Sequence, residues 1–594
     1  MPGQPNSSLL RQLGASLLVA RPTPGRVRRA LRWVTPVALG LVVTALILGP
    51  AQGAMGLLGA QAANAGRDDP MRRRIITLLV VGTATLAIQA IGLLIAPHPW
   101  LVPPVMTLIT LGVVWAWHAL HTGPPGPINT VFAGAFGTYM GTQGWTVATL
   151  LPVTALAWGI AAGASIAMLA LDPHGPRHEA VDAAVEAAAA YRDRPADLER
   201  NEADRLRARA WRAIDDAWNS LRKGVAPGVP LRSAEGRRLE ERLNEAHLEL
   251  LRLVRTEVFP VDRAAERDPD ADATGYDPTA HREIRPLGRP RVPYLLATGA
   301  QRGARAWLVA IRGALAVLLA ASTMFFSPVG HPYWAILSAL IVLHMGASRA
   351  DLTIRAAHRI IGTGVGVGVY FAIVLLQPNE WVRLAIVIVA IFGLEAMVTA
   401  NYAIAVIFVT VFALMMTPAT SPGEIDNLLR DRFVETVIGV GAAMLIVTLV
   451  GRRAPMLLVR RQYRLTLNTM LQVLGDMARG ELASGPAAEH RRNLVFELGR
   501  AGDILEAERD DDPGGLRPWD ALQRQVSSFG FDILAASWRA PGLTVQAAAA
   551  AGASLRHLIG RLPPISSKPI DVTTTAERVR GVHRAFLDAA REPG

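Results

Sequence analysis

Residues 74–100 read RIITLLVVGTATLAIQAIGLLIAPHPW, and residues 359–381 read RIIGTGVGVGVYFAIVLLQPNEW. Both stretches begin Arg-Ile-Ile, continue through apolar and small residues, and end with a proline, two further residues and a tryptophan. Each is long enough to cross the hydrocarbon core of a bilayer, which takes about 20 mainly apolar residues in an α-helix. We therefore predict a membrane protein in which one transmembrane element occurs twice.

Further apolar runs flank these two stretches and bring each half of the chain to six predicted spans. The second and fifth spans are short and rich in small residues, which favour close helix packing inside a bundle. The spans are predicted at 32–49, 51–66, 74–96, 101–118, 128–143 and 146–171, and at 306–326, 332–346, 358–377, 382–398, 401–417 and 433–451. The expected fold is all-α, with about twelve transmembrane helices in two parallel six-helix repeats.

The composition supports a membrane protein and excludes several other classes. The 594 residues are 51% hydrophobic and 19% charged, and the net charge is +12. The arginines stand beside apolar runs and form no basic patch with interleaved aromatics, so nucleic-acid binding is not expected. Cysteine is absent, which excludes disulfides and thiolate metal sites. We predict no enzyme activity, no cofactor and no metal, since the sequence contains no Walker-A, HExxH or nucleophile-elbow pattern.

The distribution of arginine predicts the orientation. The four basic segments are 26–32, 67–74, 346–359 and 451–455, and with an internal N-terminus all of them face the cytoplasm. This indicates a multi-pass protein of the bacterial inner membrane with both termini cytoplasmic. The predicted domains are a tail at 1–30, a first membrane block at 31–172, a cytoplasmic helical domain at 173–303, a second membrane block at 304–452 and a cytoplasmic helical domain at 453–594.

Two stretches of the second membrane block resemble a known family. They are HPYWAILSALIVLHMGASRADLTIRAAHRIIGTGVGVGV (331–369) and RFVETVIGVGAAMLIV (432–447), and they are similar to the membrane module of the fusaric-acid-resistance (FUSC) family. The order of membrane block, helical domain, membrane block and tail also resembles that family. The resemblance implies an efflux system for aromatic carboxylic acids, or a relative of the plant malate-type anion channels.

Charged residues inside the spans are candidate functional groups because a charge in hydrocarbon is costly. Arg312 lies several residues inside its span and would bind a carboxylate, or else extend to the cytoplasmic headgroups. Glu395 would carry a coupling proton, or else pair with a neighbouring arginine. Arg432 and Glu435 lie at the start of the last span and are interpreted as an interfacial pair.

Polar and aromatic residues at the helix ends complete the candidate set. His331, Tyr333 and Trp334 would form an aromatic gate, although tyrosine and tryptophan also favour membrane interfaces for their own sake. Arg359 fits the basic bias of cytoplasmic loops and would secondarily attract anions. Asn401 and Tyr402 are further polar residues expected to line a path. The alternating glycines from Gly362 to Gly368 are attributed to helix packing.

The predicted function is a secondary transporter that exports organic anions, driven by the proton gradient. The alternatives are an anion channel on the same scaffold and a membrane-anchored scaffold whose helical domains act through partners. The expected partners are the lipid bilayer and a small organic anion, and the sequence is also compatible with a homo-oligomer.

Overall fold

The computed structural model describes residues 26–591 except 68, 70, 124–125, 172–174, 196–197, 199, 223–230, 232, 259–289, 327–331, 346–348, 418–421, 452–453, 483, 510–512, 538–544 and 566–569. Within these described residues every regular element is a helix and there is no β-strand. The predicted all-α class is confirmed.

Seven helices in the described residues are long and apolar enough to cross a membrane. Tyr402–Met415 and Pro332–Leu343 are apolar as well but shorter. The seven candidate spans are Arg26–Leu48, Arg73–Ile95, Pro99–Ala119, Val147–Leu171, Arg305–Phe325, Asp351–Val374 and Gly423–Leu449. The chain is therefore a multi-pass membrane protein, and the total of twelve spans stays a prediction.

The first membrane block departs from the prediction at its second span. The region 51–66 is not one continuous helix but two six-residue helices separated at Gly56. Gly49, with φ of 98°, turns the chain sharply between the first helix and the next, a conformation that residues with a Cβ rarely adopt. The helices are α1 Arg26–Leu48, α2 Pro50–Met55, α3 Leu57–Ala62, α4 Met71–Ile95, α5 Val102–Ala119, α6 Ile128–Thr142 and α7 Val147–Leu171.

The second membrane block contains six longer helices, preceded by a short one. They are α11 Val292–Ala300, α12 Arg305–Ser322, α13 Pro332–Met345, α14 Arg349–Val374, α15 Glu380–Met397, α16 Tyr402–Met415 and α17 Pro422–Leu449. The helix α17 begins about ten residues before the predicted span at 433–451, so Arg432 lies inside this helix.

The two blocks form one compact unit made of Met1–Arg67, Met71–Leu171 and Leu296–Arg452. In the first block α4 packs along α6 and α3 packs along α7, while in the second block α14 packs along α16 and α13 along α17. Glycine permits these approaches: a Cβ on Gly92 of α4 would lie 2.1 Å from the Gly134 carbonyl oxygen of α6. The blocks meet where α5 packs against α12, α6 against α13, and α1 against α15.

The outer surface of this unit is apolar. Leucine, valine and isoleucine side chains on several helices are more than half exposed, a pattern that suits lipid and not water. Examples from both blocks are Leu46, Val80, Leu94, Leu108, Val389 and Leu449.

The polar segments form a second compact unit, composed of Asp68–Pro70, Asp172–Leu295 and Arg453–Gly594. Residues 173–303 and 453–594 are predicted as two domains, but their helices share one core. For example, Trp211 stacks on Phe531 with the ring centroids 5.4 Å apart. Leu239, Leu243 and Leu250, which are spaced to lie on one face of the helix Ala234–Val258, are buried. The helices are α8 Gly175–Arg192, α9 Arg200–Arg222, α10 Ala234–Val258, α18 Ala454–Ala478, α19 Gly485–Arg509, α20 Pro513–Leu516, α21 Trp519–Ser537, α22 Val545–Arg561 and α23 Val572–Arg591.

Candidate anion-binding site

Two arginines from neighbouring helices are completely buried in the second membrane block. Arg359 of α14 and Arg432 of α17 each have 0% relative exposure, and they lie close enough for their charges to interact. We call these two residues the arginine pair. Arg359 stands about 12 Å along its span from Asp351, and Arg432 about 13 Å along its span from Gly423, at 1.5 Å per residue. Both are too deep in their helices to be loop residues.

The guanidinium groups of the arginine pair retain unused donors. Among the described residues, no hydrogen-bond acceptor contacts Nε or Nη2 of Arg359, or any of the three nitrogens of Arg432. Buried ions cost several kcal/mol each unless they are paired and hydrogen-bonded, and two cations side by side add repulsion. An arrangement of this kind is stabilised by an anion that accepts from both groups.

Aromatic rings line Arg432. Its Cζ lies 4.9 Å from the ring centroid of Trp334, a cation–π distance, and the rings of Trp334 and Tyr333 are 5.1 Å apart. Both aromatic residues belong to α13 and are buried, at 0% and 2% exposure. The structure therefore buries Tyr333 and Trp334 in the protein interior.

The first membrane block extends this aromatic surface from α6. The ring of Tyr139 lies 4.6 Å from that of Tyr333, and the rings of Phe136 and Phe132 lie 6.0 and 6.1 Å from it. The Tyr333 hydroxyl is 3.5 Å from the Thr417 hydroxyl, at the end of α16. We call Phe132, Phe136, Tyr139, Tyr333 and Trp334 the aromatic group. Aromatic groups from both blocks thus lie on one side of Arg432.

Polar side chains surround Arg359. Tyr402, the first residue of α16, lies beside the guanidinium group, and its hydroxyl is close enough to interact with Arg359. The ring of Tyr402 also contacts His358 and Arg355, at 6.4 and 5.4 Å. Thr363, one turn beyond Arg359, contributes another buried hydroxyl, which has no described partner. These hydroxyls can donate to an anion held by the arginine pair.

Glu435 is the one carboxylate among the fully buried charged side chains that the structure describes here. It stands three residues after Arg432, on the same face of α17, and interacts with that arginine's charge. Both side chains are buried within the protein, and the interfacial position predicted for Arg432 and Glu435 stays a prediction. Because α17 begins at Pro422, Arg432 lies inside the helix and not at its start.

The remaining predicted site residues make contacts that hold the helices together. Arg312 donates from Nε and Nη2 to the Val450 carbonyl oxygen, at 3.2 and 3.0 Å, where α17 ends. Asn401 accepts a hydrogen bond from the Ile404 amide, 3.2 Å away, and so caps α16. His331 lies outside the described residues.

Glu395 forms an ion pair with an arginine, as one of the two sequence interpretations predicts. Its carboxylate accepts from Nη2 and Nη1 of Arg67, at 3.0 and 3.3 Å, so the pair is bidentate. The guanidinium of Arg67 also lies 4.0 Å from the ring centroid of Trp33. The contact joins α15 of the second block to the segment after α3 and to α1 in the first.

Comparison with known proteins agrees with this part of the chain. Residues 315–446 match the family described as fusaric acid resistance protein-like, and this range contains the arginine pair, Glu435 and the two aromatic residues of α13. No curated protein and no solved structure gives a match. The sequence resemblance is thereby confirmed for the second membrane block, which is similar to the fusaric-acid-resistance family over residues 315–446.

Proposed function

We propose that this protein is a secondary transporter that exports organic anions, in particular aromatic carboxylic acids, across the bacterial inner membrane. The similarity of residues 315–446 to the fusaric-acid-resistance family supports membrane transport. The observation that carries the substrate class is the arginine pair, with its unused donors buried in the membrane helices. A planar guanidinium matches a carboxylate in bidentate geometry, so the pair is suited to this group.

The aromatic group is suited to the ring of an aromatic carboxylic acid. A substrate carboxylate on Arg432 would place its ring near Trp334 and Tyr333, where offset or edge contacts between rings are favourable. Because Tyr139 and Phe136 come from the first block, movement of one block against the other would change these contacts. That coupling is what alternating access requires of a site between repeats.

The proposed arrangement in the membrane rests on the basic segments and on the helix pairing. In the first block α4 packs along α6 and α3 along α7, and in the second block α14 packs along α16 and α13 along α17. The predicted spans that pair are therefore the same in both blocks, which supports a parallel repeat. We place both termini and the polar unit in the cytoplasm because the four arginine-rich segments face that side in this orientation.

Proton coupling is the proposed source of energy, with Glu395 as the proton carrier. Protonation of Glu395 would remove the charge that holds Arg67, and so would release one contact between the two blocks. An anion channel on the same scaffold would use the arginine pair without this step. A scaffold function alone would need no buried guanidinium with unused donors in the membrane helices, so the arginine pair favours transport.

The test is efflux of a panel of aromatic acids from liposomes that contain the purified full-length protein, with and without a pH gradient. We expect Arg432→Ala and Arg359→Ala to lose about a hundredfold in apparent affinity, which corresponds to ~3 kcal/mol for a buried charge pair. Arg430→Ala is the matched control, because Arg430 is an exposed arginine on the same helix as Arg432.

Two results would contradict the proposal. Normal efflux by both Arg432→Ala and Arg359→Ala would exclude the arginine pair as the binding site. Efflux that never proceeds uphill under a pH gradient, with currents that follow voltage alone, would assign the protein to the channel alternative.

A further inference from the structure

The buried positive charges at the arginine pair outnumber the buried negative charges. Among the residues of the second membrane block whose side chains the structure describes, three that carry a charge at neutral pH are essentially fully buried: Arg359, Arg432 and Glu435, at 0%, 0% and 1% exposure. Two positive charges and one negative charge leave a net charge of +1. Arg355, the next arginine toward the helix start, is only half-buried, so water and salt screen it.

Glu435 lies close to Arg432 and to the aromatic group. Its charge interacts with Arg432 and also with Tyr333. At three residues from Arg432 on a helix, the two Cβ atoms are about 5–6 Å apart. In a site that excludes water, charges at such distances interact far more strongly than at the protein surface.

We infer that Glu435 sets the charge of the anion that the arginine pair accepts, so that the site takes monocarboxylates and rejects dicarboxylates. This inference rests on the proposed function, because it assumes that the arginine pair binds the substrate. One carboxylate brings the three buried charges and the ligand to zero. A second carboxylate leaves one negative charge uncompensated and places it near Glu435, and like charges brought together in an interface cost several kcal/mol.

Removal of the Glu435 charge should reverse this preference. In Glu435→Gln the buried site carries +2, which suits a dianion. In the double variant Glu435→Gln/Arg359→Gln the site returns to +1, and the monocarboxylate should again be preferred. Glu435→Asp retains the charge on a shorter side chain and should keep the wild-type preference.

The probes are terephthalate and its monomethyl ester, which share one ring and one length but carry two charges and one charge at neutral pH. Binding to the purified full-length protein is measured from the ligand-dependent rise of the thermal unfolding midpoint, because a ligand that binds only the folded state stabilises it in proportion to its affinity. Glu424→Gln serves as the control, since it makes the same substitution at an exposed position of α17.

We expect wild type and Glu424→Gln to bind the monomethyl ester at least about tenfold more tightly than terephthalate, and Glu435→Gln to invert that ratio. Wild-type protein that binds terephthalate as tightly as its monoester overturns the inference, even if Glu435→Gln does not fold. An unchanged ratio in folded Glu435→Gln overturns it as well. Failure of the proposed function looks different: neither probe then stabilises wild type, or Arg432→Ala is stabilised as much as wild type.

Discussion

Arginines in the membrane helices differ in what their guanidinium nitrogens contact, and this difference separates structural from functional residues. Arg312 donates to the carbonyl oxygen of Val450 at the end of a helix, and Arg67 is held by Glu395. The arginine pair, by contrast, keeps donors that no described residue uses. A buried guanidinium whose donors are not all used is costly, so the arginine pair destabilises the empty protein and favours a ligand.

The contacts of Arg312 predict an effect on stability and little effect on transport. Arg312→Ala removes charge-assisted hydrogen bonds to a helix end, which typically contribute about 1.5–3 kcal/mol. We expect a lower thermal midpoint in detergent and near-normal efflux per inserted molecule. Loss of efflux without loss of stability would return Arg312 to the role of carboxylate-binding residue that its place in the sequence first indicated.

The ion pair of Glu395 and Arg67 predicts non-additive effects. Glu395→Gln leaves the Arg67 charge without its bidentate partner in a largely buried place and should cost about 3 kcal/mol of stability. The double variant Glu395→Gln/Arg67→Gln should recover part of that loss, as a double-mutant cycle would measure.

The same variant tests the proton-carrier role. If Glu395 carries the coupling proton, efflux by Glu395→Gln no longer responds to a pH gradient but still proceeds down a substrate gradient. A wild-type response to the pH gradient in a folded Glu395→Gln variant would remove Glu395 from the coupling mechanism.

Part of this candidate site could be predicted from the sequence. Arg359, Tyr333, Trp334 and Tyr402 stand out as polar and aromatic residues in apolar surroundings. Arg432 is predicted at an interface because hydropathy places the start of the last span at 433, while the helix begins at Pro422. The polar first turns of α17 hide its start from any method that reads apolar runs alone.

At the level of helices, alanine substitutions of glycines in α14 can test how closely this helix packs against α16. A Cβ on Gly362 of α14 would lie 2.6 Å from the Ala403 carbonyl oxygen of α16, whereas a Cβ on Gly368 of the same helix meets nothing within 4 Å. We expect Gly362→Ala to destabilise the protein by about 1–3 kcal/mol through overpacking. Gly368→Ala should be neutral or stabilise by up to ~1 kcal/mol, because alanine favours helix more than glycine does.

Thermal unfolding of the two glycine variants in one detergent gives the comparison directly. Equal midpoints would show that α14 and α16 do not approach as closely as described. The sequence predicted glycine packing for all four alternating positions, but a Cβ would clash only at Gly362 and Gly366. Which face of a helix meets its neighbour depends on partners distant in the chain, so spacing alone does not determine it.

At the level of the whole molecule, the absence of cysteine allows a direct test of topology. Single cysteines at His98 and Gln377, both exposed and both between helices, should react with a membrane-impermeant maleimide in intact spheroplasts. A cysteine at Arg580, exposed on α23, should react only after permeabilisation. The cysteine-free parent protein supplies the background, and labelling of residue 580 in intact spheroplasts would reverse the proposed orientation.

The two blocks offer a final comparison, since Arg74 and Arg359 begin the matching Arg-Ile-Ile stretches. Arg74 donates to the Arg67 carbonyl oxygen at 2.6 Å and to the Ser165 hydroxyl, so its charge is used within the first block. Arg359, at the corresponding sequence position, retains two unused nitrogens. If duplication produced both blocks, one copy of this arginine now serves structure and the other serves binding.

Replacement of each arginine by methionine, which has similar length and no charge, should therefore have opposite effects on the thermal unfolding midpoint. Arg74→Met loses its hydrogen bonds and leaves buried acceptors unpaired, which should lower stability by about 2–4 kcal/mol. Arg359→Met removes an uncompensated buried charge and should leave the thermal midpoint unchanged or raised. Its stabilisation by an added aromatic carboxylate should disappear, whereas folded Arg74→Met should retain that stabilisation. Equal losses of midpoint in both variants would mean that Arg359 is a structural residue like its counterpart, and the binding site would then have to depend on Arg432 alone.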